Sequence, residues 1–293
     1  MRAIRIAVLM TCYNRKNTTL ACLDTLMRQE TIDDISLQVF LVDDGCTDGT
    51  GKAVRNRFPK IIVLQGDGKL FWSGGMRLAF GEALKKDFDY YLWLNDDSML
   101  FPHALRTMID TSHLLKKKIG KDVIITGTMQ DPQTRLFTYG GRRRHSRWRP
   151  MLFFPVEPSH KPESCDVFNG NCILIPQNIA KITGNLSSDF THGIADYDYG
   201  LRAKSHGFSC WITPGFVGHC SRNPLKGSCK DNTLSIKERV DKLSIPTGFV
   251  PANEYMLYTR RHGGILWPIY WLRTFVRMKF PLLWVLLRSK KVE

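Results

Sequence analysis

No Cys-x-x-Cys pair occurs in these 293 residues, and the eight cysteines are scattered at 12, 22, 46, 165, 172, 210, 220 and 229. That spacing excludes a small disulfide framework, and His206, Cys210, His219, Cys220 and Cys229 match none of the usual zinc patterns, so reduced thiols in a core are expected. An uninterrupted apolar run of the roughly 20 residues that a bilayer-spanning helix needs is also missing. The most apolar stretch, 265–287, is cut by Arg273, Arg277 and Lys279. The first ten residues lack a full signal-peptide core and a cleavage site, and read as a first strand. Carboxylates are scarce beside cations, 27 against 42, which leaves a formal charge of +15. Such a surface attracts polyanions of any kind, whether nucleic acid, anionic lipid or a diphosphate. Neither a helix-turn-helix, nor an RNA-binding aromatic signature, nor a zinc finger accompanies the charge, so nucleic acid is not the expected partner. Two nucleotide fingerprints are absent as well. Gly66 and Gly68 are followed by Phe71 where a dinucleotide loop has its third glycine, and no Gly-Lys-Ser/Thr ending marks a phosphate loop.

What is present begins with residues 90–98, Tyr-Tyr-Leu-Trp-Leu-Asn-Asp-Asp-Ser, an apolar run that stops on Asn95, Asp96 and Asp97. A run of this length suits an interior strand of a parallel sheet, and open α/β sheets bind ligands beyond the carboxyl ends of such strands. Oxygen donors without thiols or a histidine pair suit Mg²⁺ or Mn²⁺. A solvated loop, with Asp97 or Ser98 capping the next helix, is the structural alternative.

The same pattern recurs along the chain. Residues 4–10 read as a strand that breaks at Thr11-Cys12-Tyr13-Asn14-Arg15, and 18–27 as a helix. Residues 37–42 form a second strand ending on Asp43 and Asp44 in a Gly- and Thr-rich turn. A third strand, 61–64, leads through Trp72, Gly74 and Gly75 into a helix expected over 76–86. The two glycines there serve either anion approach to a helix start or close packing. A helix over 102–118 and a strand over 123–126 follow, and the alternation implies an α/β fold with a mostly parallel sheet flanked by helices. Arg142 to Arg149 is a dense positive block, read as a solvated loop or as a lid over an anionic substrate. Residues 166–176 form a strand entered through a polar turn, and 190–203 a loop running into a helix. On that helix Asp198 can pair with Arg202 at i, i+4, which leaves Asp196 available as a base.

These segments, in this order and at these intervals, resemble family 2 glycosyltransferases of the GT-A fold, particularly bacterial rhamnosyltransferase-like enzymes of surface polysaccharide synthesis. The motifs are Thr11 to Arg15, Asp43 to Thr50, Asn95 to Asp97, Asn169 to Asn171, and Asp196 with Asp198 and Arg202. The resemblance implies a GT-A domain over 1–225, with a nucleotide-binding half near 1–100 and an acceptor half near 101–225. It implies that Thr11, Tyr13, Arg15, Asp43, Asp44 and Asp96 border the nucleotide and that Trp72, Gly74 and Gly75 lie near the donor sugar. Asp97, Asn95 and His219 would hold Mn²⁺ or Mg²⁺, and Asp196 would be the base. Two departures stand out: Asn95 replaces the first acid of the usual DxD, and Ala195 replaces the Glu commonly preceding the base.

The implied reaction is inverting transfer of a sugar from a UDP or dTDP donor to a saccharide hydroxyl, the acceptor being of the polyprenyl-diphosphate-linked type. A nucleotidyltransferase on a similar fold is the alternative within the same chemistry. Segment 226–293 ends in a basic, aromatic tail in which Trp267, Tyr270, Trp271 and Trp284 suit an amphipathic helix in the headgroup region. A helix folded back with those aromatics buried is the other reading. The first reading places the protein in the cytoplasm, peripheral at the inner face of the cell membrane.

Overall fold

The computed structural model describes residues 3–30, 35–146, 148–243, 245–248 and 250–287. Its first half alternates strand and helix: β1 (Ile4–Cys12), α1 (Lys16–Met27), β2 (Ile35–Asp43), α2 (Thr50–Arg57), β3 (Ile62–Gln65), α3 (Phe71–Leu84) and β4 (Tyr90–Leu94). The middle adds β5 (Met99–Leu100), α4 (Ala104–Ile119), β6 (Val123–Thr126), β7 (Met129–Gln130), β8 (Phe137–Tyr139), β9 (Gly141–Ser146) and β10 (Arg149–Pro155). Then come β11 (Glu163–Cys165), β12 (Val167–Phe168), β13 (Cys172–Pro176), α5 (Gln177–Thr183), α6 (Ala195–Ser205), β14 (Ser209–Ile212) and β15 (Gly218–His219). The C-terminal segment is helical, with α7 (Ile236–Asp241), α8 (Ala252–His262), α9 (Trp267–Lys279) and α10 (Pro281–Leu287).

Eight strands form the central sheet in the order β11-β14-β6-β13-β4-β1-β2-β3, mostly parallel, with β13 running antiparallel between β4 and β6. Period-2 alternation splits the core between the two faces. Ala7, Leu9, Tyr91 and Trp93 point to the layer holding Met76, Phe80 and Tyr199. Ile6, Val8, Met10, Leu92 and Leu94 point to the layer holding Leu23, Leu26 and Met108. Trp93 is fully buried, with the rings of Trp72, Phe80, Phe168 and Tyr199 between 4.9 and 6.2 Å away. This aromatic nest fixes β4, and with it the loop that follows.

Two expectations need correction. The helix expected from 76 begins at Phe71, so Trp72, Gly74 and Gly75 lie in its first turns. Its N-terminal N–H groups are already occupied: Phe71 N–H donates to Asp44, Trp72 N–H to His192, and Gly74 N–H to the Leu70 carbonyl. Gly75 is small because Thr11 is there; a Cβ would stand 2.1 Å from the Thr11 hydroxyl. Close packing accounts for Gly75, and at Gly74 a Cβ would meet the Leu70 side chain at 3.2 Å. The arginine block, for its part, is strand, not loop: β9 pairs antiparallel with β10, and Arg147 lies outside the described residues. Arg144 lies over the Phe153 ring and Arg142 donates to the Phe153 carbonyl, while Arg143 donates to Ser164. Strand pairing with an aliphatic and aromatic partner supplies what three consecutive arginines lack in apolar period.

The tail folds back onto the body yet leaves apolar residues in solvent. Tyr258 of α8 belongs to the same core layer as Trp93. Arg277 of α9 donates to the Val250 carbonyl, and Arg239 of α7 to that of Val285. Among the described residues no helix is long and apolar enough to cross a membrane. All eight cysteines are free, and seven are buried.

Candidate functional site

Register brings the site together. Cys12 at the end of β1 stands opposite Asp43 at the end of β2, so Thr11, Tyr13, Arg15 and the Asp43 turn share the sheet's carboxyl edge. Asn14, in the left-handed region at φ 50°, locks the two loops by accepting from Thr47 and Asp48 N–H groups. Tyr13 is 55% exposed beside them. Because β13 is antiparallel to β4, its entry meets β4's exit: Cys172 pairs with Leu94, and Asn95 N–H donates to the Asn171 carbonyl at 3.0 Å.

The carboxylates are held in different ways. Arg15 bridges Asp96 and Asp97, with Nη1 2.9 Å from an oxygen of each. Asp96 is buried and takes a further hydrogen bond from Thr19. Burial pushes its pKa up to about 6, against the opposing pull of Arg15. Burial also works against the Arg15 charge, but Asp96 and Asp97 outweigh it and raise its pKa. Asp97 stays partly open to solvent, its other oxygen 3.5 Å from the Cys220 thiol. Asn171 donates to that same sulfur at 3.4 Å. Asp43 is buried and accepts from Cys46 N–H at 2.8 Å. Asp44 turns both oxygens to the N–H groups of Gly68, Leu70 and Phe71, so it shapes the loop that launches α3.

Asp196 arrives from the far side of the fold, in the first turn of α6. Its two oxygens accept from Gly170 and Tyr197 N–H groups at 2.9 Å each. Burial pushes its pKa up to about 6, while those N–H donors and the Arg142 guanidinium pull it down. Gly170 in turn has no room for a side chain, since a Cβ would stand 2.3 Å from the Trp72 ring. Trp72 Nε1 closes the chain by donating to Asn95 Oδ1 at 2.7 Å. Asp196, Gly170, Trp72, Asn95 and Asp97 are therefore contiguous, although they come from residues more than a hundred positions apart.

Asp198 pairs with Arg202 at 2.8 Å as the spacing predicts, and it also accepts from His262 at 2.8 Å and contacts Arg261. Burial would raise its pKa, but the His262 and Arg202 hydrogen bonds prevail and lower it. His219 sits on β15 with its Nε2 3.0 Å from Arg135 and its ring edge-on to Phe101. Burial and Arg135 lower its pKa, and the neighbour that reaches Asp97 is Cys220. Sequence reasoning missed Cys220, His192 and the His262 contact, which no local spacing signals.

The residues fit a divalent ion as a partial shell. Asp97 and Asn95 offer hard oxygens at a strand end, and Mg²⁺ or Mn²⁺ bound by one or two carboxylates completes its shell with water and phosphate. Among the described residues, no group of three or more His, Cys, Asp or Glu could hold an ion unaided.

Among curated proteins none matches the chain significantly. Solved structures share its fold at low identity. The mannosyltransferase PcManGT from Pyrobaculum calidifontis, in complex with GDP-Man and Mn²⁺, aligns with TM-score 0.55 and 16% identity over 98% of this chain and 73% of its own. Residues 1–349 of S. aureus TarS align with TM-score 0.54 and 13% identity, over 86% of this chain and 66% of that one. The longer TarS structure aligns with TM-score 0.55 and 11% identity, over 88% of this chain and 42% of that chain. These likenesses identify a GT-A-type fold, and the sequence profile described as Glycosyl transferase family 2 matches residues 7–182. The chain belongs to glycosyl transferase family 2.

Proposed function

We propose that the protein transfers a sugar, with inversion, from a nucleotide sugar to a hydroxyl of a saccharide acceptor. The observation that carries this is the contiguity of Asp196, Gly170, Trp72 and Asn95, which brings a carboxylate with a pKa of about 6 to the strand end that carries Asp97. In a single displacement the acceptor oxygen bonds to the anomeric carbon as the bond to the diphosphate oxygen breaks, and the hydroxyl proton passes to Asp196. One displacement inverts the centre, and no second carboxylate is required as a nucleophile. A divalent ion, which Asp97 and Asn95 would hold, would supply charge neutralisation for the departing diphosphate; the His219 expected beside them is turned to Arg135 instead. Arg15, Thr11, Tyr13 and Asp43 line the nucleotide pocket, Tyr13 offering a free ring face. Asp96 fixes Arg15, Asp44 fixes the loop ahead of Trp72, and Trp72 with Gly74 and Gly75 borders the sugar.

The GDP-Man and Mn²⁺ in the mannosyltransferase structure support a nucleotide-sugar donor and a divalent ion for this chain. The donor is of the UDP or dTDP type, and the acceptor a lipid-linked saccharide of surface polysaccharide synthesis. The basic, apolar tail supports a peripheral position at the inner face of the membrane. Transfer from a panel of UDP, dTDP and GDP sugars, assayed with wild type and Asp196→Asn, tests the reading. Asp196→Asn is expected to lose transfer by roughly 10²–10⁴-fold while binding nucleotide normally; full activity in that variant overturns it.

A further inference from the structure

Helix α9 is turned the opposite way from a helix that merely packs on a core. Thr274 and Arg277 face the protein and are buried, Arg277 donating to the Val250 carbonyl at 2.9 Å. Ile269, Leu272 and Val276 on α9, spaced three and four apart, form one stripe that faces solvent, and Ile265 in the 3-10 turn just before it is 93% exposed beside Ile269 at 60%. Phe280, Leu282 and Leu283 extend the exposed surface into α10. Scattered exposed leucines are ordinary, but an aligned apolar row on a helix that buries Thr274 and Arg277 instead marks a contact surface. The Tyr270 hydroxyl also contacts the Trp148 carbonyl at 3.5 Å, which sets the β9–β10 turn and its 70%-exposed Trp148 beside α9.

Charge decides what covers the stripe. Residues 255–287 contain no Asp or Glu, and Arg260, Arg273 and Lys279 on these helices are exposed. A second copy would bring like charges together, whereas an anionic bilayer neutralises them and takes up the apolar row. We propose that the Ile269–Leu272–Val276 stripe, with Ile265, Phe280 and Leu283, is the face that docks on an anionic lipid bilayer, with α9 lying in the plane of the headgroups. This rests on the membrane placement proposed above and specifies which surface makes the contact and which lipid it takes.

The test is co-flotation of the full-length protein with phosphatidylcholine vesicles and with vesicles that also contain phosphatidylglycerol, at low and high salt. A variant carrying Ile269→Ser, Leu272→Ser and Val276→Ser is compared with wild type, and circular dichroism and nucleotide-sugar binding confirm that it is folded. These side chains face water, so the fold is expected to tolerate them. Wild type is expected to float with the anionic vesicles, less at high salt, and the variant to bind them roughly tenfold or more weakly. If wild type binds neither vesicle, the membrane placement itself fails. If wild type and variant float equally, the membrane placement stands and the docking face is wrong. If light scattering shows a wild-type dimer that the variant dissolves, a second copy covers the stripe and the proposal is overturned.

Discussion

A general base works best when its pKa lies near the operating pH, and burial gives Asp196 a value of about 6. The transfer rate is therefore expected to rise with pH through about 6 and then level off, with no such step in the Asp196→Asn residual rate. Stability runs the other way. The folded chain holds the Asp196 proton more tightly than the unfolded chain, whose carboxyl has the ordinary value of 3.8. Its contribution is full below that value and is lost as pH rises through about 6. On moving from pH 4 to pH 8, urea unfolding should thus favour Asp196→Asn over wild type by about 2–3 kcal/mol, at 1.36 kcal/mol per pKa unit. Gly170→Ala tests the adjoining contact, because the new Cβ would stand 2.3 Å from the Trp72 ring. The expected outcome is a fall in kcat of about tenfold or more with a small change in melting temperature, since the displaced indole also releases Asn95. At this scale the acids were legible, because Asp43, Asp97 and Asp196 each follow or begin a recognisable element. Which of them are occupied was not. The Arg15 bridge, the Asp44 cap on Phe71 and the Cys220 contact join residues 27 to 123 positions apart, and no local period encodes them.

Elements were legible where apolar periodicity is strong. Strands β1 to β4, α4 and β6 fall where the apolar runs place them, whereas α3 starts five residues early because Asp44 and His192 cap it from elsewhere in the chain. The β9–β10 hairpin was illegible because arginine has no strand signature until Phe153 and Asp166 pair with it. The least foreseeable link is between α6 and α8. Asp198 is fully buried and receives His262 and Arg261 from α8, two residues beyond Asp196 on the same helix. Glu254 of α8 holds the preceding loop by accepting from Thr191 N–H and hydroxyl. Helix α8 therefore braces the helix that carries Asp196, the proposed base. His262→Ala should destabilise the protein by about 1–3 kcal/mol, through an under-paired buried carboxylate, and lower kcat more than it raises KM. Truncation separates the roles of the tail helices. A chain ending after Gly263 keeps α8 and is expected to melt within a few degrees of wild type, whereas one ending after Pro251 loses Tyr258 and the Asp198 contacts and is expected to unfold or precipitate.

On the scale of the whole molecule, a formal charge of +15 and a carboxyl edge lined with acids have to be reconciled. A dianionic diphosphate entering that edge would meet Arg15 favourably but Asp97 unfavourably, and a divalent ion held by Asp97 and Asn95 would supply the charge that offsets the repulsion. Ion and donor should consequently bind together, each strengthening the other, because neither shell is complete alone. The donor set predicts the pattern: among the described residues no cluster of three or more ligands holds an ion independently of substrate. Mn²⁺ alone, or EDTA alone, is expected to leave the melting temperature unchanged. Mn²⁺ with the correct nucleotide sugar at about 100 times its Kd should stabilise by about 2.7 kcal/mol, which is a rise of roughly 4–5 °C for a chain of this size, and EDTA should abolish most of that rise. Differential scanning fluorimetry across UDP, dTDP and GDP sugars reads both effects at once. A full shift with Mn²⁺ and no sugar nucleotide would mean a structural ion, and a full donor shift surviving EDTA would leave Arg15, not the ion, as the group that neutralises the diphosphate.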